Sequence, residues 1–492
     1  MELSPLLNKY MYNLSKKTKV VCTIGPATNT YEKVKELVKA GMNVIRINFS
    51  HGNYEAHKKV IDLARRLEVE ERIYIPIMLD TKGPEIRCHF FLNGSAEIVK
   101  DSIVRIGMKE ILGTAERFSV TYQGLFEDIN IGDAIKIDDG KLRLDVIAKD
   151  FEQQEIVTKA FNTHTIKDRK GVNIPSAILR LPALSEIDKR DLDFGCNNGI
   201  DLIAASFVRN KKGVEEIKDY LKQIGYPDIP VIAKIENEEG VENIKDILTV
   251  ADGVMVARGD LGVEIPPEMV PIIQRKIIYE ARKAGKPVIT ATQMLDSMQS
   301  NPLPTRAEVS DVATAIRESS DAVMLSGETA TGQYPIEAAG MQASIARTIE
   351  DYLSYEKFSS FAFENSDKTR SDAIANSVAN TANLVDAKMI FCFSETGNSA
   401  KRIAKSRPKC PIIMVTFKRE SALRVGPIFS IYPIVVNTLP QLMEEMEAYS
   451  LIKAREFGLK PNDMIIITGG IPTGSGGTNF LRIVSVNKAK EF

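Results

Sequence analysis

The chain has 492 residues, 44% apolar and 26% charged, a balance that excludes wholesale disorder, a collagen-like chain and a coiled coil. Lys and Arg number 64 against 65 Asp and Glu, so the net charge of −1 provides no basic field for nucleic acid. No apolar run approaches the ~20 residues of a membrane span, and residues 1–17 lack the apolar core of a signal peptide, which points to the cytoplasm. Cys22, Cys88, Cys196, Cys392 and Cys410 are too few and too scattered for a disulfide framework, and none forms a Cys-x-x-Cys pair. His51, His57, His89 and His164 form no His-Glu-x-x-His motif.

In chain order, β-branched runs alternate with amphipathic stretches. Runs at 19–24, 43–48 and 74–80 come first, with helices expected at 31–40 and 54–67. Runs at 201–206, 230–235, 253–257, 287–292 and 321–325 follow, with helices expected at 214–224 and 271–284. Several runs are almost wholly apolar, as suits strands buried on both faces of a parallel sheet. Gly41 and Gly285 stand where C-terminal caps belong. Eight such strands alternating with helices predict a (β/α)₈ barrel of the TIM type.

The third unit is interrupted by short alternating segments at 102–106, 134–137, 143–147 and 155–160, separated by turn residues. They predict an all-β insertion placed over the barrel mouth as a lid. After a polar linker expected at 358–370, a helix is expected at 371–384. Strands at 388–393, 411–416, 432–436, 464–468 and 481–486, with helices at 399–406 and 439–457, predict a C-terminal open α/β-sheet domain. The chain thus divides into an N-terminal segment (1–17), a barrel (18–84 and 180–355), an inserted lid (85–179) and a C-terminal domain (356–492).

In a parallel barrel the chemistry sits at the C-terminal strand ends. Polar residues stand there at alternate positions, which share a face of a strand: Arg46, Asn48 and Ser50; Asp80 and Lys82; Lys234 and Glu236; Thr290 and Thr292; Ser326 and Glu328. Arg258 and Asp260 close the sixth strand. Any one pair is more often a solvated ion pair or an ordinary β-former, and convergence on one rim is what gives them weight. Glu236 and Asp260 offer two carboxylates without the His or Cys that zinc prefers, which suits magnesium. Lys234 and Arg46 beside such an ion can neutralise a phosphate. No P-loop occurs, but phosphoryl transfer needs only cations, magnesium and positioning.

Together the segments 22–27 (Cys-Thr-Ile-Gly-Pro-Ala), 46–52 (Arg-Ile-Asn-Phe-Ser-His-Gly) and 79–87 (Leu-Asp-Thr-Lys-Gly-Pro-Glu-Ile-Arg) resemble the pyruvate kinase family. So do 170–173 (Lys-Gly-Val-Asn), 233–237 (Ala-Lys-Ile-Glu-Asn), 257–262 (Ala-Arg-Gly-Asp-Leu-Gly), 291–295 (Ala-Thr-Gln-Met-Leu) and 324–330 (Met-Leu-Ser-Gly-Glu-Thr-Ala). The resemblance covers nearly the whole chain in order. It implies transfer of the phosphoryl group of phosphoenolpyruvate to ADP, giving pyruvate and ATP. By the same resemblance Lys234, Arg46 and Thr292 are catalytic, and Gly259, Asp260 and Thr292 receive the substrate carboxylate. Glu236 and Asp260 hold Mg²⁺ (or Mn²⁺), and Asn48, Ser50, Asp80 and Thr81 hold K⁺. Asn48, Phe49, Ser50, His51, Arg87 and Lys170 meet the nucleotide.

Glu85 stands where members that require a monovalent cation carry Glu, and members that do not tend to carry Lys. The loop Ser394, Thr396, Gly397, Asn398 and Ser399, facing 474–478, resembles the family's effector-phosphate site; an ordinary helix N-cap is the plainer reading. Members answering to fructose bisphosphate usually add basic groups there, whereas this chain has Glu395 and Asn398. A sugar phosphate or nucleoside monophosphate is the implied effector class, and a homotetramer the implied assembly. Two alternatives stay open: another magnesium-dependent enolpyruvate enzyme such as a lyase, and a catalytically dead sugar-phosphate sensor. The nucleotide-facing Arg87 and Lys170 disfavour the first, and intact Lys234, Glu236, Asp260 and Thr292 the second.

Overall fold

A computed structural model describes residues 14, 16–175, 177–471 and 477–486. The N-terminal segment before 14 and the part of the 474–478 loop at 474–476 lie outside the described residues.

Eight parallel strands close a barrel: β1 (Lys19–Thr23), β2 (Val44–Asn48) and β3 (Ile77–Asp80), then β13 (Leu202–Ala205), β14 (Val231–Ile235), β15 (Gly253–Ala257), β16 (Val288–Ala291) and β17 (Ala322–Leu325). All eight expected runs became strands, shortened by one to three residues at some ends. One face of the strands packs on the surrounding helices. The other fills the barrel with Val21, Val44, Met78, Leu202, Ile232, Met255, Ile289 and Met324. Above that apolar plug the inward positions turn polar, and so the strand ends carry the chemistry. Helices occur where periodicity placed them, among them Tyr31–Ala40, Tyr54–Glu71, Lys211–Gln223 and Val270–Lys283.

Between β3 and β13 lie the nine insertion strands. β4 (Ile86–Arg87), β6 (Ile103–Gly107), β7 (Arg117–Ser119), β8 (Ala134–Ile137), β9 (Leu142–Asp150), β10 (Glu155–Ala160) and β12 (Gly171–Asn173) form one sheet, and β5 (Ser95–Ile98) pairs with β11 (His164–Lys167). The insertion has its own apolar core around Phe118, Ile106, Ile135, Leu144 and Ile156. Its entry and exit strands, β4 and β12, pair antiparallel with Gly171 opposite Arg87. At the hinge before β4, Gly83 has φ +75°, and a Cβ there would lie 2.8 Å from Ser206 Cβ, so only glycine fits.

The C-terminal sheet runs β20-β19-β18-β21-β22, with β18 (Met389–Phe393), β19 (Ile412–Thr416), β20 (Ile431–Val435), β21 (Met464–Gly469) and an antiparallel edge strand β22 (Phe480–Ser485). One expectation fails. The linker expected at 358–370 is in large part the helix Tyr355–Glu364. Phe358 and Phe361 lie on one side of it, against Arg282. The Ser-rich, polar composition hid that spacing.

The C-terminal unit docks on the barrel base, at the strand N-termini. Lys19 Nζ donates to Ile431 O at 2.6 Å, and Ser430 N to Lys17 O at 2.8 Å. Arg407 pairs with Asp321 at 2.9 Å and donates to Ser319 O at 2.6 Å. Among the described residues no helix is long and apolar enough to cross a membrane.

Candidate active site

Parallel register sets the ends of β2 and β3 side by side, with Asn48 opposite Asp80. Arg46 Nε donates to Asp80 Oδ2 at 2.6 Å, and its Nη1 donates to Thr23 Oγ1 at 2.9 Å. From β14, Lys234 Nζ donates to Asp80 Oδ1 at 2.9 Å and Ser206 Oγ at 2.7 Å, and lies 3.0 Å from Glu236 Oε1. Arg46, Asp80, Lys234 and Glu236 are all buried.

Each charge is therefore set by its neighbours. Burial works against the Asp80 carboxylate, but Arg46 and Lys234 outweigh it and hold the carboxyl below its ordinary range. Burial likewise disfavours the Lys234 ammonium, and Asp80 and Glu236 more than offset that, so Lys234 stays charged. Glu236 is the reverse case. Burial, aided by Asp260, pushes it up to about 7 although Lys234 pulls it down.

The helix Arg258–Glu264 starts directly after β15 and carries Gly259 and Asp260 in its first turn. Asp260 is hydrogen-bonded to Glu236, and burial raises its pKa. Gly259 N donates to Thr292 Oγ1 at 2.7 Å. Thr292 has a left-handed backbone, φ +68°, rare for a β-branched residue. Arg258 braces it, donating to Thr292 O at 2.7 Å while paired with Asp311 at 2.6 Å.

Two carboxylates that close, one buried and one partly buried, suit a divalent cation, which removes their repulsion. Among the described residues no cluster of three or more His, Cys, Asp or Glu could hold a metal. Further coordination would thus fall to water or substrate oxygens. The Asn48, Ser50, Asp80 and Thr81 donors are all oxygens. Their one carboxylate is already balanced by Arg46 and Lys234, which leaves a donor set suited to a weakly held monovalent ion.

Residues 15–339 match the family model described as pyruvate kinase, barrel domain, and residues 372–484 the one described as pyruvate kinase, alpha/beta domain. The chain belongs to the pyruvate kinase family. It is 45% identical over 474 residues to a pyruvate kinase of Sporosarcina psychrophila, covering 96% of this chain and 80% of that one. It is 47% identical over 475 residues to a pyruvate kinase of Geobacillus stearothermophilus, with the same coverage of each. A solved pyruvate kinase structure from Cryptosporidium parvum superposes with a TM-score of 0.91 at 35% identity, covering 99% of this chain and 100% of that one. The chain is therefore a phosphotransferase, with phosphoenolpyruvate and ADP as its substrates.

A cleft of ≈ 190 Å³ separates the lid from the barrel mouth, and Arg87, Lys170, Asp260 and Glu85 are among its walls. Both lid cations are held by carboxylates. Arg87 Nε donates to Glu85 Oε2 at 2.7 Å, and Lys170 lies 2.7 Å from Asp138. The lid touches the helix that carries Asp260, where Asn173 Nδ2 donates to Glu264 Oε1 at 2.8 Å.

Not every strand-end residue faces the mouth. Thr290 is turned into the helix layer and bonded to Ser320 Oγ at 2.7 Å, because only the left-handed turn at Thr292 brings that side chain back over the barrel. Lys82 lies by Asp191 rather than in the Lys234 cluster. Phe49 is buried and stacked on His57, centroids 4.1 Å apart, while His51 is exposed on the adjoining turn. Glu328 accepts from Ser326 N at 2.8 Å and Leu295 N at 3.1 Å, which makes it a brace between two loops.

Sequence reasoning missed Ser206 and Thr23. Ser206 Oγ accepts from Lys234 and donates to Thr81 O at 2.6 Å. Its signal was its place as the polar last residue of the expected fourth run.

In the C-terminal unit, Gly397 has φ +80° and its N donates to Ser394 Oγ at 3.1 Å. The helix Asn398–Lys405 begins there. Thr478 donates to Ser399 Oγ at 2.6 Å, and Lys418 pairs with Glu395 at 2.6 Å.

Proposed function

We propose that this chain transfers the phosphoryl group of phosphoenolpyruvate to ADP through the Arg46–Asp80–Lys234–Glu236–Asp260 cluster, in a magnesium- and potassium-dependent reaction in the cytoplasm. The observation that carries this reading is Lys234: a buried ammonium kept charged by Asp80 and Glu236, with a third carboxylate, Asp260, bonded to Glu236.

Glu236 and Asp260 would hold Mg²⁺ (or Mn²⁺), and Asn48, Ser50, Asp80 and Thr81 would hold K⁺; both ions supply positive charge around the phosphoryl oxygens. Arg46 binds substrate phosphate. Lys234, already aligned and desolvated, stabilises the phosphoryl group in transfer and the enolate left behind, with little reorganisation. The Gly259 and Asp260 backbone and the Thr292 hydroxyl receive the substrate carboxylate. Arg87 and Lys170 leave Glu85 and Asp138 for the nucleotide phosphates, while residues Asn48, Phe49, Ser50 and His51 adjoin the nucleotide. Because Phe49 is stacked on His57, its backbone rather than its ring is the part available.

The division of the chain at 18–84 with 180–355, 85–179 and 356–492 frames this reading. Ser394, Thr396, Gly397, Asn398 and Ser399 would receive an effector phosphate, and a homotetramer is the proposed assembly. ATP formation from phosphoenolpyruvate and ADP, measured with and without magnesium, tests the reaction. Lys234→Met should lower kcat by about 10²–10³-fold, the scale of one lost electrostatic donor, while phosphoenolpyruvate affinity changes far less. Near wild-type turnover in that variant would remove Lys234 from the mechanism.

A further inference from the structure

At the barrel base, opposite the catalytic mouth, a cavity of ≈ 30 Å³ is lined by Arg282, Lys286, Lys401, Lys405 and Arg407, with Asp321 as its one carboxylate. Three segments distant in sequence build it: the end of the helix Val270–Lys283 with the turn that follows, the start of β17, and the helix Asn398–Lys405 with its exit.

The carboxylate is already committed. Asp321 accepts from Val288 N at 3.0 Å and Phe429 N at 3.1 Å and pairs with Arg407. Lys405 Nζ donates to Asn365 O at 2.7 Å. The other three cations lack such partners. Arg282 lies over the Phe358 and Phe361 rings, and its Nε and Nη2 atoms are buried without a hydrogen-bond partner. Among the described residues, the side-chain ammoniums of Lys286 and Lys401 have neither an ion pair nor a hydrogen bond. The carboxylate that most favours their charge, Asp252, is itself paired with Lys218 at 2.8 Å. Burial holds all five cations below their ordinary pKa, with Arg282 at about 9.

An unpartnered buried guanidinium is costly, and a fold that gathers it with two unpaired ammoniums gains most from an anion. We propose that this cavity binds a small oxyanion: inorganic phosphate or the phosphate of a phosphomonoester. The cavity volume is roughly that of two or three water centres, which suits one tetrahedral group and excludes a sugar ring within it. The bound anion bridges the barrel base to the helix Asn398–Lys405, whose first turn starts at Gly397. The site is separate from the loop at Ser394–Ser399 and does not depend on its assignment.

The test is equilibrium dialysis of the full chain against radiolabelled inorganic phosphate, with ionic strength fixed by potassium chloride. Arg282→Met combined with Lys286→Met should lower the bound phosphate by one per chain, or weaken that site by about tenfold or more. Ser399→Ala should keep it. These changes strip unpaired cations and leave no carboxylate orphaned, and a thermal melt checks folding. Lys401→Met and Lys401→Arg provide an independent pair, the first weakening the site and the second preserving it. Glycerol phosphate as competitor separates the sources: full displacement assigns phosphomonoesters, and none assigns free phosphate. Unchanged phosphate binding in both methionine variants, or wild-type binding abolished by chloride alone, would overturn the proposal.

Discussion

Arg87 and Lys170 each lie against a lid carboxylate, so under the proposed reading nucleotide phosphates would have to compete with Glu85 and Asp138 for them. Burial works against the Asp138 charge, but hydrogen bonds from Lys170 and His164 outweigh it and hold the carboxyl at about 2. The folded-state pKa is thus below the unfolded one. Its stabilisation is complete above about pH 4 and is lost as pH falls toward 2. Asp138→Asn should flatten that acid limb in urea melts and, by freeing Lys170, lower the KM for ADP a few-fold. An unchanged acid limb would show that the pairing does not stabilise the lid. Under the proposed reading the other carboxylate bears on potassium. Glu85 balances Arg87 and also raises the pKa of Asp260, so it lies within electrical reach of the transferred group. Glu85→Lys should reduce the potassium requirement at some cost in maximal rate. In the wild type, activity should fall sharply when potassium is replaced by sodium or tetramethylammonium at constant ionic strength. Equal rates in all three salts would discard the monovalent-ion reading. At this scale the strand-end motifs were legible because alternation on a strand fixes a shared face. Thr290 and Lys82 were misplaced because the strand ends before the residue whose direction mattered.

The lid is an element with its own core, entered and left through the paired strands β4 and β12. That pairing sets Arg87 and Lys170 together, while Arg46, Lys234, Glu236 and Asp260 all belong to the barrel. Replacing 85–179 by a short linker should therefore spare phosphoenolpyruvate binding and cripple ADP use. Calorimetric titration of each ligand into the folded truncated protein checks this; equal loss of both would mean the lid also builds the phosphoenolpyruvate site. The insertion was visible in sequence as a break in the strand–helix alternation. The helix Tyr355–Glu364 was not, since its apolar side shows only once Phe358 and Phe361 have Arg282 to pack against.

Across the whole molecule, the catalytic mouth and the C-terminal unit lie at opposite ends of the barrel, and the contact at the base is polar. Arg407 and Asp321 are both buried there, in a network reaching Ser319 O, Val288 N and Phe429 N. Arg407→Ala leaves Asp321 buried without its cation and should cost about 3–5 kcal/mol. Urea unfolding followed by circular dichroism measures this, and a loss below about 1 kcal/mol would mean that water replaces the guanidinium.

Sequence by itself determined the eight strands, the insertion, the C-terminal sheet and most of the residues at the mouth, because periodicity and strand-end position are local properties. Only the tertiary structure decided which charges meet. Ser206 joins Lys234 across neighbouring strands, Arg87 turns to Glu85, and Arg282, Lys286 and Lys401 converge from separate segments on one cavity. Electrostatics depends on distance through space and on exclusion of water, and neither is encoded in the spacing of residues along the chain.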